Sequence, residues 1–470
     1  MNVTCTTTSQ VEHDVLAQSA PEEKSLYASL ASLFTAFAQA EIRYALLRGY
    51  DELKTAHGHL EVDLLVAPHD LARLAEILAR RNFAALPSWG HAPHHFFLGF
   101  DEQSGSWLKL DVVRELYYGA PARSLRVDLA EECLQQRQRC APTYVLTPEH
   151  EFLTLFLHCL LDKKNFRAAR RARLLELRTM LQHESSAGRH GQKLFEKFLT
   201  PALSWNALEQ TLAKEDWLAL LKSSHAITKR LQQGQHMSAL RRKMSCFALR
   251  KLRPLLFALR RRGLFVALLA PDGAGKSTLA QALKCDFGLN AQLIYMGTNL
   301  AASTVGLPTT KWLHRTLKKS RAPKPLRLLL KPVNYCNRTL ELWYRIAFAR
   351  WQVSRGKFVV FDRYVYDSWI AKPATTWAKR LRRKFLEAGW PTPDLVILLD
   401  APGELLFRRK GEHSPEWLEQ QRQAYLALQK QLPQMRVLDA TQNAEEARRE
   451  AIALIWKKYL SCYSGKSDLR

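Results

Sequence analysis

The stretch APDGAGKST at 270–278 has the residue types and spacing to hold a polyphosphate. Gly273 and Gly275 let the backbone bend so that successive N–H groups, that of Ala274 included, point inward at phosphate oxygens. Lys276 stands where an ammonium can neutralise the charge that migrates between β- and γ-phosphates. Ser277 offers a hydroxyl to Mg²⁺, and Thr278 opens a helix whose positive end faces the same anion. Asp272, inside the loop, either touches an acceptor or caps the loop. Ala270 occupies the place where a first glycine is usual, and its methyl is tolerable in ordinary strand geometry. The competing reading of the whole stretch is a structural turn.

Such a loop works only between a buried strand and a helix. LFVALLA at 264–270 reads as that strand, and QLIYM, FVVF, LVILLD and MRVLD read as further core strands separated by helical segments. Five such runs predict a doubly wound, three-layer α/β domain on a parallel sheet. The run FVVFD would carry Asp362 to the carboxyl edge, where open α/β sheets bind ligands, with an N-cap as the alternative role. Asp400, closing LVILLD, reads as a structural strand-end acid.

The order DGAGKST, then VVFDRYVYDS at 359–368, PDLVILLDAPGELLFRRKGE at 393–412 and QRQAY at 421–425 resembles the thymidylate kinase family. The resemblance implies a P-loop NTPase fold of the nucleoside monophosphate kinase type, ATP and Mg²⁺ as cofactors, and phosphoryl transfer. It implies that Asp362 orients Mg²⁺ and the acceptor and that Arg363, with Tyr364 beside it, binds the acceptor's phosphate. Arg408 and Arg409 would belong to a lid over the transferring group, with Arg422 nearby. Two family segments that hold the nucleoside monophosphate have no counterpart in LELWYRIAFARWQVSRG and DSWIAKPATT. Arg345 and Arg350 are candidates to hold an anionic acceptor there. The chain most resembles the thymidylate kinase-like proteins that bacteria often keep beside surface-polysaccharide genes, and that resemblance implies a phosphorylated sugar, glycan or lipid-linked intermediate as the favoured acceptor, with dTMP or another nucleoside monophosphate as the alternative.

Upstream, LLRGYDELKTAHGHLEVDLLVA and LKLDVVRELYYG are similar to uncharacterised nucleotidyltransferase-like proteins, which implies an α+β domain with a triphosphate-binding turn and carboxylates that hold Mg²⁺. Strand periodicity puts Glu61 and Asp63 on one face, and Asp111 can join them from a neighbouring strand. Tyr50 replaces the usual serine after Gly49, and Glu61 replaces an aspartate, so a substrate-binding or degenerate domain is an open alternative. Bifunctional nucleotidyltransferase–kinase and non-catalytic ATP-switched module are competing readings. His94, His95 and His158 read as satisfied polar positions. The expected organisation is a flexible N-terminus at 1–24, the nucleotidyltransferase-like domain at 25–145, a mostly helical connector at 146–260 that is basic at its end, and the kinase domain at 261–462. Thr147 is expected to cap a helix begun by Pro148.

The formal net charge is +26, and no Asp or Glu occurs between Trp217 and Pro271 or between Phe287 and Leu340. Basic residues mixed with Leu, Phe and Trp suit an anionic membrane surface or a polyanionic glycan, against solvated linker positions; a nucleic-acid partner is disfavoured. Projection at 100° per residue gives 240–262 no clean apolar face, and Pro254 is expected to interrupt the helix. Eight scattered cysteines without zinc spacing, and no signal or spanning segment, point to a cytoplasmic chain, with peripheral attachment to the inner face of the membrane as a variant. Oligomeric state is open, a homodimer included.

Overall fold

The structure, a computed structural model, describes residues 26–54, 59–183, 185–260, 263–297, 305–310, 312–313, 324–370, 377, 380 and 390–463. The expected flexible N-terminus, residues 314–323 of the second basic run and residues 371–376 of the DSWIAKPATT stretch lie outside these. The chain forms two compact units, one through Arg253 and one over Pro254–Tyr463.

The first unit is α+β. Its strands are β1 (Tyr44–Leu46), β2 (Leu60–Val66), β3 (Phe83–Leu86), β4 (His94–Asp101), β5 (Ser106–Val113), β6 (Leu116–Tyr118), β7 (Leu125–Val127), β8 (Gln138–Cys140) and β9 (Thr143–Val145). Seven of them make one sheet in the order β3-β4-β5-β2-β1-β9-β8, while β6 and β7 pair as a small ribbon. Alternation decides what each face does. Val62, Leu64, Val66, Leu108, Leu110 and Val112 bury against the helix at 26–39, including Phe34 and Phe37. Leu65 and Val113, on the opposite face, share a core with the helices that run from Pro148–Leu157 to Ser224–Gln232. Thr147 does cap the first of these helices with extended backbone, but its hydroxyl makes no capping bond and contacts His150 instead.

The last helix of this run, His236–Arg260, continues through Pro254. A proline removes one backbone hydrogen bond and kinks a helix, yet side-chain anchoring can keep the helix going. Arg250 supplies such anchoring within the first unit, donating to the carbonyls of Gly90 at 2.9 Å and Pro121 at 2.7 Å. The absence of a clean apolar face has a structural reason. Ala239 is buried on one side, while Met237, Leu240, Met244 and Phe247 are exposed on the other, so apolar residues surround the axis.

The second unit is the expected parallel α/β fold. Strands β10 (Phe265–Leu269), β11 (Ala291–Tyr295), β12 (Phe358–Asp362), β13 (Leu395–Asp400) and β14 (Met435–Asp439) form one sheet in the order β11-β12-β10-β13-β14, all parallel. Ala267, Leu269, Val359, Phe361, Val396 and Leu398 pack on Ile346, Ala349 and Tyr425 from helices Lys324–Ser354 and Pro415–Ala427. Phe358 faces the other way, against Phe287 and Tyr459. That makes three layers. β10 and β12 are neighbours with Leu268 opposite Asp362, so the loop after β10 and the acid ending β12 emerge side by side.

A buried ion pair fastens the segment at 305–310. Arg345, 1% exposed, donates to Glu341 at 3.0 and 2.8 Å and to the Tyr295 carbonyl at 2.9 Å. The second oxygen of Glu341 accepts from the Leu307 N–H at 2.7 Å and the Thr310 hydroxyl at 2.8 Å. Arg345→Met should destabilise this unit by about 3–5 kcal/mol, because it leaves Glu341 buried without its cation. Replacing Glu341 by Leu as well should recover part of that loss; fluorescence-monitored denaturation of the single and double variants checks both.

Candidate active site

Gly273 and Gly275 both adopt left-handed backbone, at φ +92 and +84. At Gly273 the requirement is double, since a Cβ would also stand 2.6 Å from the carbonyl oxygen of Leu406. The loop then delivers Lys276 as first residue of the helix Lys276–Asp286. Ala274 is buried beneath the loop, and Ser277 and Thr278 are exposed on the first helical turn. Here the free N–H groups and positive dipole end of the helix project.

Lys276 is 8% exposed, and its Nζ lies 3.8 Å from Oδ1 of Asp362, itself 9% exposed. Burial, and then the neighbouring Arg363 charge, push the Lys276 pKa below the ordinary lysine value despite Asp367, Asp362 and Asp272. Oδ1 of Asp362 is buried with no hydrogen-bond partner, and so is Oδ2 of Asp367. A cation with oxygen preference fits such orphaned carboxylate oxygens.

Arg363 follows Asp362 directly and sits at φ +67, a strained conformation for a side-chain-bearing residue. Its guanidinium donates to Asp272 at 2.9 Å and lies 3.6 Å from Asp367, and Asp367 in turn accepts from the Tyr425 hydroxyl at 3.0 Å. Burial holds the Asp367 carboxyl above the usual range. Asp367 and Tyr425 are the functional neighbours that residue-by-residue reading missed. Both lay in plain view, in VVFDRYVYDS and QRQAY, with Asp367 four residues after Arg363 and first in the short helix Asp367–Ile370.

The other expected site residues are placed as follows. Tyr364 is buried among Phe361, Tyr366 and Trp390, and its hydroxyl is spent on the Pro391 carbonyl. Arg408 and Arg409 are exposed near the end of the helix Gly403–Lys410, with Arg409 donating to the Ala440 carbonyl at 2.7 Å. From the same helix end, Lys410 reaches to 3.9 Å from Asp272. Arg422 is held bidentately by Asp400 at 2.7 and 2.9 Å and by Glu419 at 2.9 Å. Asp400 is thus the structural acid it reads as. Arg345 is turned inward to Glu341.

The first unit also gathers its expected acids. β2 and β5 run parallel with Asp63 opposite Asp111, and ligand oxygens of Glu61, Asp63 and Asp111 lie within 4.8 Å of one another. Each acid has a basic partner: Arg48 to Asp63 at 2.6 Å, His94 to Asp111 at 2.5 Å and Lys109 to Glu61 at 2.7 Å. Burial opposes ionisation of Asp63, but Arg48 outweighs it and keeps the carboxyl below its ordinary pKa. Burial lowers the His158 pKa to about 4, so the ring is neutral at pH 7 beside Asp162, 3.3 Å away. All of these groups but Lys109 line a cavity of about 770 Å³ that also admits Arg123, Arg170 and Arg173.

A parallel sheet in this order, with a glycine-bent loop, buried lysine and strand-end aspartate at its carboxyl edge, defines a P-loop phosphotransferase. Residues 271–451 match the thymidylate kinase family model, and this half of the chain is a thymidylate kinase-like P-loop kinase domain. It is 26% identical over 215 residues to a probable thymidylate kinase of Thermococcus gammatolerans, covering 99% of that protein and 42% of this chain. A thymidylate kinase of Xylella fastidiosa is 28% identical over 203 residues, 87% of that protein and 41% of this chain. A probable thymidylate kinase of Pyrococcus abyssi is 35% identical over 114 residues, 54% of that protein and 22% of this chain. Thymidylate kinases use ATP and Mg²⁺.

Lys276 yields a signed pH prediction. With its folded pKa below the unfolded value of about 10.4, the unfolded chain binds more protons in the interval between them, so stability contributed here rises with pH across that interval. Lys276→Met should flatten that rise and raise the melting temperature of nucleotide-free protein at neutral pH. The same variant should lose the stabilisation that ATP gives the parent. Melting curves across pH, with and without ATP, check both signs.

Proposed function

We propose that the second unit transfers the γ-phosphoryl group of ATP to an acceptor that already carries a phosphate. An acceptor oxygen bonds to the γ-phosphorus as the bond to the bridging oxygen breaks, and ADP leaves with the electron pair. The observation that carries this reading is Arg363. A cation on strained backbone, aligned by Asp272 and Asp367 next to Lys276, is suited to a second anion beside the ATP phosphates. A domain that merely bound ATP would have no need of it.

In this reading Asp272 to Thr278 cradle the triphosphate, and Ser277 and Asp362 hold Mg²⁺, which when bound spreads the charge of the transferring group. Lys276 stabilises that charge directly. Arg408 and Arg409 close over the site from the helix end, with Lys410 a neighbour already turned to Asp272. Tyr364 acts through the packing that fixes the Arg363 backbone, and Arg422 by aligning Asp400 rather than by reaching the acceptor.

The favoured acceptor is a phosphorylated sugar, glycan or lipid-linked intermediate of surface-polysaccharide metabolism. It is supported by the acceptor segments, which do not match those of the thymidylate kinases; Arg345, paired internally with Glu341, is not the cation that holds its phosphate. The likeness to thymidylate kinases favours dTMP as the second reading. For the first unit we propose a ligand-binding role in the 770 Å³ cavity, with Glu61, Asp63 and Asp111 as candidate Mg²⁺ ligands of a nucleotidyltransferase-like centre. The exposed Met237, Leu240, Met244 and Phe247, on an acid-free basic helix, support peripheral contact with an anionic membrane surface. Among the described residues no helix is long and apolar enough to cross a membrane.

ATP turnover measured against dTMP, other nucleoside monophosphates, sugar phosphates and polyprenyl-linked sugars tests the acceptor. Turnover only with dTMP would overturn the glycan reading, and turnover with no phosphorylated acceptor would overturn the role of Arg363. In the productive reaction Asp362→Asn should lower turnover at least ~100-fold with nearly parental ATP affinity, since the phosphate loop is untouched.

Neutralising Glu61, Asp63 and Asp111 together should leave transfer to a minimal acceptor intact. If the first unit binds Mg²⁺ there, the same triple variant loses the Mg²⁺-induced rise in its melting temperature. Collapse of ATP turnover in a folded triple variant would overturn the independence of the two functions.

A further inference from the structure

His150 is fully buried, 0% exposed, in the helix Pro148–Leu157. Its Nδ1 is engaged by the Thr147 hydroxyl at 2.5 Å, which fixes the ring and leaves Nε2 to point elsewhere. His190, from the helix Ser185–Leu199, stacks edgewise on it with ring centroids 5.8 Å apart. The Nε2 atoms of both rings are buried and neither has a hydrogen-bond partner. Both face one oxygen of Glu132, on the helix Ala130–Gln135, at 3.7 Å from His150 and 3.2 Å from His190.

Two orphaned imidazole nitrogens around one carboxylate oxygen are poorly served by a proton. Each ring could donate an N–H to that oxygen, but neither contact has hydrogen-bond geometry, so as placed both nitrogens stay unpaired. A single metal cation satisfies all three ligand atoms. We infer that His150, His190 and Glu132 form a binding site for a zinc-like divalent ion, separate from the phosphate loop and from the acids of the cavity.

Nitrogen and carboxylate ligands in this number are a zinc-type set. For bonds of ~2.0–2.1 Å at tetrahedral angles, ligand atoms stand ~3.3–3.4 Å apart. The 3.2 and 3.7 Å separations bracket that edge. Thr147 is the outer-shell partner that holds a ligating imidazole in one tautomer and orientation. The site depends on two helices approaching closely, and Gly191, next to His190, permits this: a Cβ there would lie 3.3 Å from that of Glu149. A fourth position is left for water. Because the ligands come from three helices, the ion cross-links the helical layer of the first unit. Its role is structural, and no step of phosphoryl transfer involves it.

The test uses full-length protein stripped by a chelator, without nucleotide. Zn²⁺ should bind at one ion per chain by elemental analysis and raise the melting temperature, and Co²⁺ should give the visible d–d absorption of a tetrahedral site. His190→Gln, at a half-exposed position that does not open the core, should abolish stoichiometric binding and the Co²⁺ spectrum. Thr147→Val should weaken affinity ~10–100-fold, the usual effect of losing an outer-shell bond. The proposal is overturned if the parent binds no stoichiometric ion. It is equally overturned if His190→Gln and Glu132→Gln keep parental affinity, which would put the ion elsewhere.

Discussion

A lysine and an aspartate, both more than nine-tenths buried, face each other 3.8 Å apart at the carboxyl edge of the parallel sheet. One carboxylate oxygen of this pair has no hydrogen-bond partner. Keeping charges in that condition is costly, and the second unit is built so that they cannot escape it. Pairing of β10 with β12 sets Leu268 against Asp362. Left-handed glycines bring Lys276 back over the sheet edge, and the Arg363 backbone is forced into the same region of conformational space. Such unrelieved electrostatics are expected where a polyanion and its counter-ion will supply the missing partners.

The first unit treats its acids differently. Asp63, Asp111 and Glu61 crowd together, yet Arg48, His94 and Lys109 each answer one of them. These three acids are therefore each answered by a basic partner, whereas Lys276 is held against its preference. Within the same unit the unsatisfied groups include Nε2 of His150 and of His190, beside Glu132, and a guanidinium nitrogen of Arg170 on the cavity wall. An unmet hydrogen-bonding demand marks the phosphate-loop site in the second unit and the histidine–glutamate cluster in the first.

The α/β half was legible because its signals are local. A strand, a glycine-bent loop and a helix are contiguous in sequence, and the buried parallel strands read as unbroken apolar runs. Asp362 was placed by the run FVVFD, and the partition of Asp400 to a structural role is explained by its bidentate Arg422. Arg345 was less legible: whether a guanidinium meets a ligand or a buried Glu341 depends on which way one helix face turns. Pro254 misled because a helix break was inferred from backbone chemistry alone, while Arg250 and the packed side of the helix carry it through. Its amphipathic projection failed for a related reason, since apolar residues lie on the packed side and on the exposed side alike. The histidine–glutamate cluster left no trace in spacing, its members being brought together by the packing of three helices.

The central claim is that Lys276 is a buried cation waiting for phosphate, and proton linkage tests it most directly. Calorimetric titration of ATP with Mg²⁺ at about pH 9.5, a unit below the ordinary lysine pKa, in buffers of different ionisation enthalpy, reports protons exchanged on binding. Bound phosphates return Lys276 toward its ordinary pKa, so the account predicts net proton uptake that disappears in Lys276→Met. Nucleotide binding with no proton uptake, or with the same uptake in Lys276→Met, would contradict it.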